Sequence, residues 1–230
     1  MSHWHLASVN WLDALPEDAI RNLRSESRTK SFRDKEMIFA PTADPDSVYL
    51  LESGLTRIYR LAGPGEEFTL CLVEPGEIFG ELAVLGEDAR ESFAVALDTS
   101  EVLKFTKSLF LNLMQNTPGF SLAISKQVGR RLERIEVRAE DLIFRSAASR
   151  LARTLLLLAD DFGRVDDDRT IINVHLTQSE FATLIGSSRP TVNLTMRSFK
   201  EKGLIDPSSG RIVVVNRDAL QQIADNFNHR

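Results

Sequence analysis

The sequence predicts an α+β chain in three parts: an antiparallel β barrel or sandwich, a long helix, and a small helical domain closed by a hairpin. Three observations carry this expectation. Short apolar runs broken by glycine and proline fill roughly residues 32–107. The hydrophobic period then changes to three and four. Near the C-terminus, two helices with clear start and stop signals lie between short β-like runs.

The β-rich part is read from Glu36 to Phe39, Ser47 to Leu51, Thr56 to Leu61, Glu67 to Val73 and Ser92 to Leu97. Pro45-Asp46, Glu52-Ser53-Gly54, Ala62-Gly63-Pro64-Gly65 and Glu74-Pro75-Gly76 separate them, and this rhythm suits short antiparallel strands. Ahead of these runs, Ala14 to Arg28 shows helical spacing, with Pro16 near its start.

In the second part, Lys107 to about Arg145, apolar residues Ile124, Val128, Leu132, Ile135, Ala139 and Leu142 recur at intervals of three and four. Arg130, Arg131, Glu133, Arg134, Glu136, Arg138 and Glu140 fill most other positions, and Pro118-Gly119 marks the beginning. A narrow stripe among mixed charges suits a two-stranded coiled coil, hence a homodimer; a helix packed on its own barrel is the alternative.

The third part opens with an apolar helix, Leu151 to Ala159, and an acidic loop holding Asp160, Asp161, Asp166, Asp167 and Asp168. β-like runs follow at Ile171 to Val174 and Ile212 to Val215. Between them, Thr177 can cap a helix, and Glu180 completes a capping box. Phe181, Leu184 and Ile185 form its apolar face, with the small Ala182 where a second helix would cross. Gly186 stands where a left-handed turn would end the helix. Ser188 can cap the next one, whose first turn tolerates Pro190.

Val192 and Met196 or Phe199 then face inward, leaving Arg189, Thr191, Asn193 and Arg197 for solvent. A recognition helix needs this arrangement, because its first turns enter the major groove. Arginine fits guanine bidentately and asparagine fits adenine. A plain helical hairpin is the competing reading. The apolar runs around Leu204-Ile205 and 212–215 could pair across Pro207 to Gly210, making a winged helix.

The 230 residues are 43% hydrophobic and 27% charged, with a net charge of −5. An acidic chain that binds DNA must carry its positive charge locally. Arg189, Arg197, Lys200 and Lys202 supply it between Thr177 and Lys202, against Glu180 and Glu201. The single cysteine, Cys71, excludes an intramolecular disulfide and any multi-cysteine iron–sulfur or zinc site. No apolar stretch is long enough for a bilayer and Met1 to Asn10 has no signal-peptide core, so a cytoplasmic protein without membrane partners is expected. No nucleophile–base pair or metal-ligand spacing points to an enzyme; His175 and His229 are isolated.

Three stretches in this order carry a resemblance: Gly76-Glu-Ile-Phe-Gly-Glu-Leu-Ala83, Ser149-Arg-Leu-Ala-Arg-Thr-Leu155 and Ile185-Gly-Ser-Ser-Arg-Pro-Thr-Val192. On them the chain resembles the CRP/FNR superfamily, relatives of the catabolite activator protein, from about Leu15 to Val215. The resemblance implies a cyclic-nucleotide-binding-type β-roll over residues 1–107, a dimerisation helix over 108–145, and a winged helix-turn-helix domain over 146–230. It implies a homodimer on palindromic double-stranded DNA, often bent, with RNA polymerase as a further partner. Arg189 matches a base-contacting arginine, and Thr177 and Ser188 match residues near the phosphates. Gln178, Pro190, Thr191, Asn193 and Arg197 complete the expected DNA-binding set. Pro190 and Leu194 replace a base-reading glutamate and a second arginine, so the preferred sequence should differ from the catabolite activator's.

Gly80, Glu81, Leu82 and Ala83 resemble the phosphate-binding cassette of cyclic-nucleotide domains, to which the resemblance adds Arg90, Ser92 and Arg131. The cassette's Arg-Ser or Arg-Thr pair is Arg90-Glu91 here, and Glu91 would repel a phosphodiester or occupy Arg90 itself. A Thr-Ser pair that meets adenine in cyclic-AMP-binding members falls on Ile135-Glu136. Cyclic AMP is therefore not the expected effector; another small ligand, a cyclic dinucleotide, or none remains. No cofactor is expected, since Cys71, His3 and His5 do not form a set of haem ligands.

Overall fold

The computed structural model describes residues 15–63, 65–86, 89–207 and 211–226; Ala14, His3, His5 and His229 lie outside them. The chain forms two compact units, residues 6–133 and 134–230, divided within a long helix.

In the first unit, α1 (Glu17–Glu26) follows Pro16 and buries Leu23. The strands are β1 (Arg28–Phe32), β2 (Met37–Phe39), β3 (Ser47–Ser53), β4 (Thr56–Gly63), β5 (Glu66–Val73), β6 (Ile78–Phe79), β7 (Phe93–Ala96) and β8 (Ser100–Thr106). They form two four-stranded sheets in the orders β1-β8-β3-β6 and β2-β7-β4-β5, every pair antiparallel. A short helix, α2 (Leu82–Leu85), sits between β6 and β7; α3 (Lys107–Asn116) and α4 (Pro118–Phe144) follow β8.

β3 shows why its run is apolar throughout rather than alternating. Val48 and Leu50 pack with Leu23, Phe105, Phe110 and Phe120, on the helical side. Tyr49 and Leu51, one residue out of phase, pack with Phe39, Ile58, Phe79 and Ala94, on the side of the second sheet. A strand buried on both faces has no polar side to display.

α4 contributes Ile124, only 1% exposed, to the helical-side core, and Val128 packs against the same cluster. These two residues leave the intermolecular stripe expected from the sequence, because periodicity defines an apolar face without saying what covers it. Farther along, Leu132 (55%) and Ile135 (43%) are exposed, as are Ala139 and Leu142.

The second unit is built on α5 (Ala147–Phe162), capped by Ser146, with Leu151, Leu155, Leu156 and Leu158 buried. A hairpin of β9 (Gly163–Asp166) and β10 (Arg169–Ile172) comes next, then α6 (Gln178–Ile185), α7 (Arg189–Glu201), β11 (Ile205–Asp206), β12 (Ile212–Val214) and α8 (Arg217–Ala224). The sheet order is β11-β12-β10-β9. β11 and β12 pair antiparallel, Ile205 opposite Val214, as the expected wing. The expected acidic loop is not a loop. Asp160 and Asp161 end α5, and Asp166 to Asp168 make a tight strand–turn–strand with Asp167 at φ 53°. β10 also begins two residues before the apolar run read from the sequence.

Candidate nucleic-acid interface and ligand cradle

The α6–α7 pair forms from local chemistry. Thr177 Oγ1 accepts from the Glu180 amide at 3.2 Å, and Glu180 Oε2 accepts from the Thr177 amide at 2.6 Å. Both otherwise orphaned donors are thus satisfied. Gly186 ends α6 at φ 59°, ψ 53°, the left-handed region that disfavours side chains. Ser188 then caps α7, accepting from the Thr191 amide at 3.3 Å, and Pro190 occupies the first turn, where its missing N–H costs no intrahelical hydrogen bond.

Two side chains fix this turn from outside the pair, and a third covers it. Arg138 of α4 donates to the Leu184 carbonyl at 2.7 Å; Arg150 of α5 donates to Ile185 at 2.7 Å and Gly186 at 3.1 Å. Consecutive carbonyls at the C-terminus of α6, which lack helical partners, are met by two guanidiniums. Burial lowers the Arg150 pKa, with Asp141 opposing. Leu142 closes over Gly186: a Cβ there would stand 2.6 Å from its Cδ2. Sequence reasoning assigned Leu142 to the dimer stripe and gave Arg138 and Arg150 no role. Arg150 does lie in one of the stretches that carried the family resemblance, which was the one available signal.

Val192, Met196 and Phe199 bury one face of α7. Arg189, Pro190, Asn193, Leu194 and Arg197 are exposed, and Thr191 is half-buried with its hydroxyl 2.8 Å from that of Ser188. Asn193 donates to Gln178 Oε1 at 3.0 Å, tying the two helices together, and Arg197 pairs with Glu201 at 2.9 Å. Arg189 makes no side-chain hydrogen bond or ion pair among the described residues. The exposed side of the pair therefore offers one uncommitted guanidinium at a helix N-terminus, with amide and hydroxyl groups around it.

In the first unit, Gly80 adopts φ 79°, and a Cβ there would meet Arg90 Nη1 at 2.8 Å and Tyr49 at 3.0 Å. The glycine admits the Arg90 side chain. Arg90 is buried and donates to the carbonyls of Asp44 (3.0 Å), Gly80 (3.4 Å), Pro45 (3.5 Å) and Ser47, over the rings of Phe39 and Tyr49. Burial lowers its pKa, against the opposing influence of Tyr49, Asp44 and Glu81. Glu91 does not occupy Arg90, as the sequence suggested it could. It is exposed and pairs with Arg60 of β4. Ser92 is half-buried beside it.

Glu81 is buried, and its Oε1 accepts from Arg131 Nη1 of α4 at 2.9 Å. Arg131 also donates to the Ile78 carbonyl at 2.6 Å, which receives a second bond from Gln127 at 2.7 Å. Burial would lower the Arg131 pKa, but Glu81, Cys71 and Glu77 outweigh it and hold the guanidinium above its ordinary value. Leu82 is exposed at the start of α2, and Ala83 is buried. Ile135 and Glu136 are exposed on α4.

A β-roll followed by a long helix and a winged helix-turn-helix is the architecture of a transcription regulator. Residues 29–117 match the cyclic nucleotide-binding domain family, and residues 149–223 match the Crp-like helix-turn-helix domain. A CRP-like cAMP-activated global transcriptional regulator of Mycobacterium tuberculosis is 28% identical over 95% of this chain and 98% of its own length. The cyclic AMP receptor protein of Thermus thermophilus is 31% identical, over 77% of this chain and 79% of its own. Among solved structures, a mutant of CooA from Carboxydothermus hydrogenoformans superposes with a TM-score of 0.77 at 25% identity, covering 96% of this chain and 97% of that one. The chain belongs to the CRP/FNR superfamily, whose members are transcription regulators rather than enzymes. Among the described residues, no helix is long and apolar enough to cross a membrane.

Proposed function

We propose that the chain works as a homodimer that lays α7 in the major groove of a two-fold symmetric DNA site, with Arg189 reading a guanine in each half. The observation that carries this reading is Arg189 itself. It is exposed at the first position of a capped helix, with no side-chain partner among the described residues, while α6 is held behind it by its capping box and by Arg138 and Arg150. Thr177, Gln178, Ser188 and Thr191 flank it for phosphate contacts, and Asn193 and Arg197 lie farther along α7. The dimer surface is the outward stripe of α4, where Leu122, Leu132, Ala139 and Ile143 recur at intervals that keep one face. Such a regulator acts in the cytoplasm on RNA polymerase at promoter DNA.

The effector of the β-roll is not cyclic AMP in this reading, although two relatives carry that nucleotide in their names. The donors of Arg90 are engaged by backbone carbonyls, Glu81 gives Oε1 to Arg131 and keeps only its buried Oε2 without a partner among the described residues, and Glu91 stands where a hydroxyl would serve a phosphate. The β-roll responds to a different small ligand or acts without one, and no metal or prosthetic group takes part.

Fluorescence anisotropy on duplexes selected from a random library tests the DNA reading. Affinity should fall steeply with salt, as counterion release requires. Arg189→Ala should lose roughly 10- to 100-fold in affinity for the selected site while retaining its non-specific binding. Equal discrimination by the variant and the parent protein would remove Arg189 from the base-reading role.

A further inference from the structure

α7 carries one feature that its polar base-reading side chains do not explain. Leu194 is 68% exposed on it. At about 3.6 residues per turn, Leu194 lies about 200° around the helix from buried Val192, at the middle of the outward face. Pro190, one turn earlier and also exposed, continues the same ridge. Arg189 and Asn193 flank the ridge on one side, and Arg197 lies along it, drawn toward Glu201.

A protein-docking surface would need a contiguous apolar patch of roughly several hundred Å². This ridge is two side chains long and set among Arg189, Asn193 and Arg197, which suits a polyanion. In the major groove, donors and acceptors line every base edge, and thymine adds one apolar group, its 5-methyl. A leucine pressed on any other edge would strip water from a polar atom without replacing its hydrogen bond.

We infer that Leu194 determines part of the sequence specificity by packing against the 5-methyl group of a thymine in each half-site. This rests on the reading of α7 as a recognition helix. Arg189 and Leu194 are five residues apart, about 7.5 Å along the axis at about 1.5 Å per residue. At about 3.4 Å per base step, the thymine lies roughly two base pairs from the guanine read by Arg189.

Replacing thymine by deoxyuridine removes that methyl and nothing else. Half-sites are first selected from a random duplex library with the full-length protein; Arg189→Ala then marks the guanine position by its lost preference there. Deoxyuridine is next placed at each thymine in turn. The parent protein should bind about fourfold more weakly at one position per half-site, and about sixteenfold with both halves replaced, the effect of burying one methyl-sized group. L194A should bind thymine and deoxyuridine duplexes equally. A parent protein indifferent to deoxyuridine throughout the half-site would overturn the inference, as would L194A keeping the parent's ratio, the result expected if Leu194 instead meets a protein. Recovery of no sequence at all would overturn the DNA-binding reading, and the role of Leu194 with it.

Discussion

Arg189 and Arg90 are both arginines that a phosphate- or base-binding protein could use, but they stand in opposite conditions. Arg189 is exposed at the start of α7, with no side-chain partner among the described residues. Arg90 is buried under Gly80 and gives its donors to backbone carbonyls, while its neighbour Glu81 is closed by Arg131. The contrast separates an exposed guanidinium with no protein partner from one whose donors are already met by backbone carbonyls, although beside it Glu81 Oε2 and Arg131 Nε are buried without hydrogen-bond partners among the described residues. A ligand at Arg189 displaces only water, whereas an anion at Arg90 must compete with hydrogen bonds already made in a low-dielectric setting.

The largest effect should come from breaking the closed site. Arg131→Met leaves Glu81, 1% exposed, as a buried charge without its closest counter-ion. Removing one member of such a pair typically costs about 3–5 kcal/mol, and urea denaturation followed by circular dichroism should register a loss of that size. Adding Glu81→Leu should recover most of it, since an apolar pair needs no compensation. A loss below about 1 kcal/mol for Arg131→Met would mean that water or another cation reaches Glu81, and the contrast with Arg189 would weaken.

A smaller loss is expected at the open site, where the turn rather than the reading side chain is structural. Gly186→Ala places a Cβ on a left-handed backbone, at about 1–2 kcal/mol. It also sets that Cβ 2.6 Å from Leu142 Cδ2, though the leucine is flexible and can move. The double variant with Leu142→Ala should keep the backbone strain and lose the contact, so the two substitutions should be non-additive in denaturation. DNA affinity should fall in the single variant as α7 shifts. Strict additivity would show that Leu142 does not support the turn.

What could be read from the sequence follows the range of each interaction. The α6–α7 pair was legible because its determinants are neighbours: Thr177 with Glu180, Ser188 with Thr191, and Gly186 between them. The β3 run was legible because burial on both faces leaves a continuous apolar signature. Arg138 and Arg150 were not legible as caps, since their carbonyl partners lie 46 and 35 residues away. Ile124 was read into the intermolecular stripe but is buried in the core of the first unit, with Val128 partly packed against it, because a helical stripe looks the same against a second helix or a β-roll. The β9–β10 hairpin was hidden by its aspartates, which favour turns but here also reach into a flanking strand. In the cradle, the position of Arg90 was visible but its hydrogen-bond partners were not, because carbonyls leave no mark in a sequence.

The smallest expected effect bears most directly on the effector. Glu91 and Arg60 form a pair with both side chains more than half exposed, and surface pairs of this kind contribute about 0–1 kcal/mol. Glu91→Ser should therefore change stability by less than about 0.5 kcal/mol, toward the lower end of that range. The substitution restores a hydroxyl beside Arg90 and removes a repelling carboxylate, yet it leaves the donors of Arg90 directed at the carbonyls of Asp44, Pro45, Gly80 and Ser47. Calorimetry with cyclic AMP should then show no binding by the variant, as by the parent. If the variant binds the nucleotide, the carbonyl contacts yield to a phosphate, and Arg90 is as available to an anion as Arg189. The cradle would then differ from a working nucleotide site by the carboxylate at Glu91 alone.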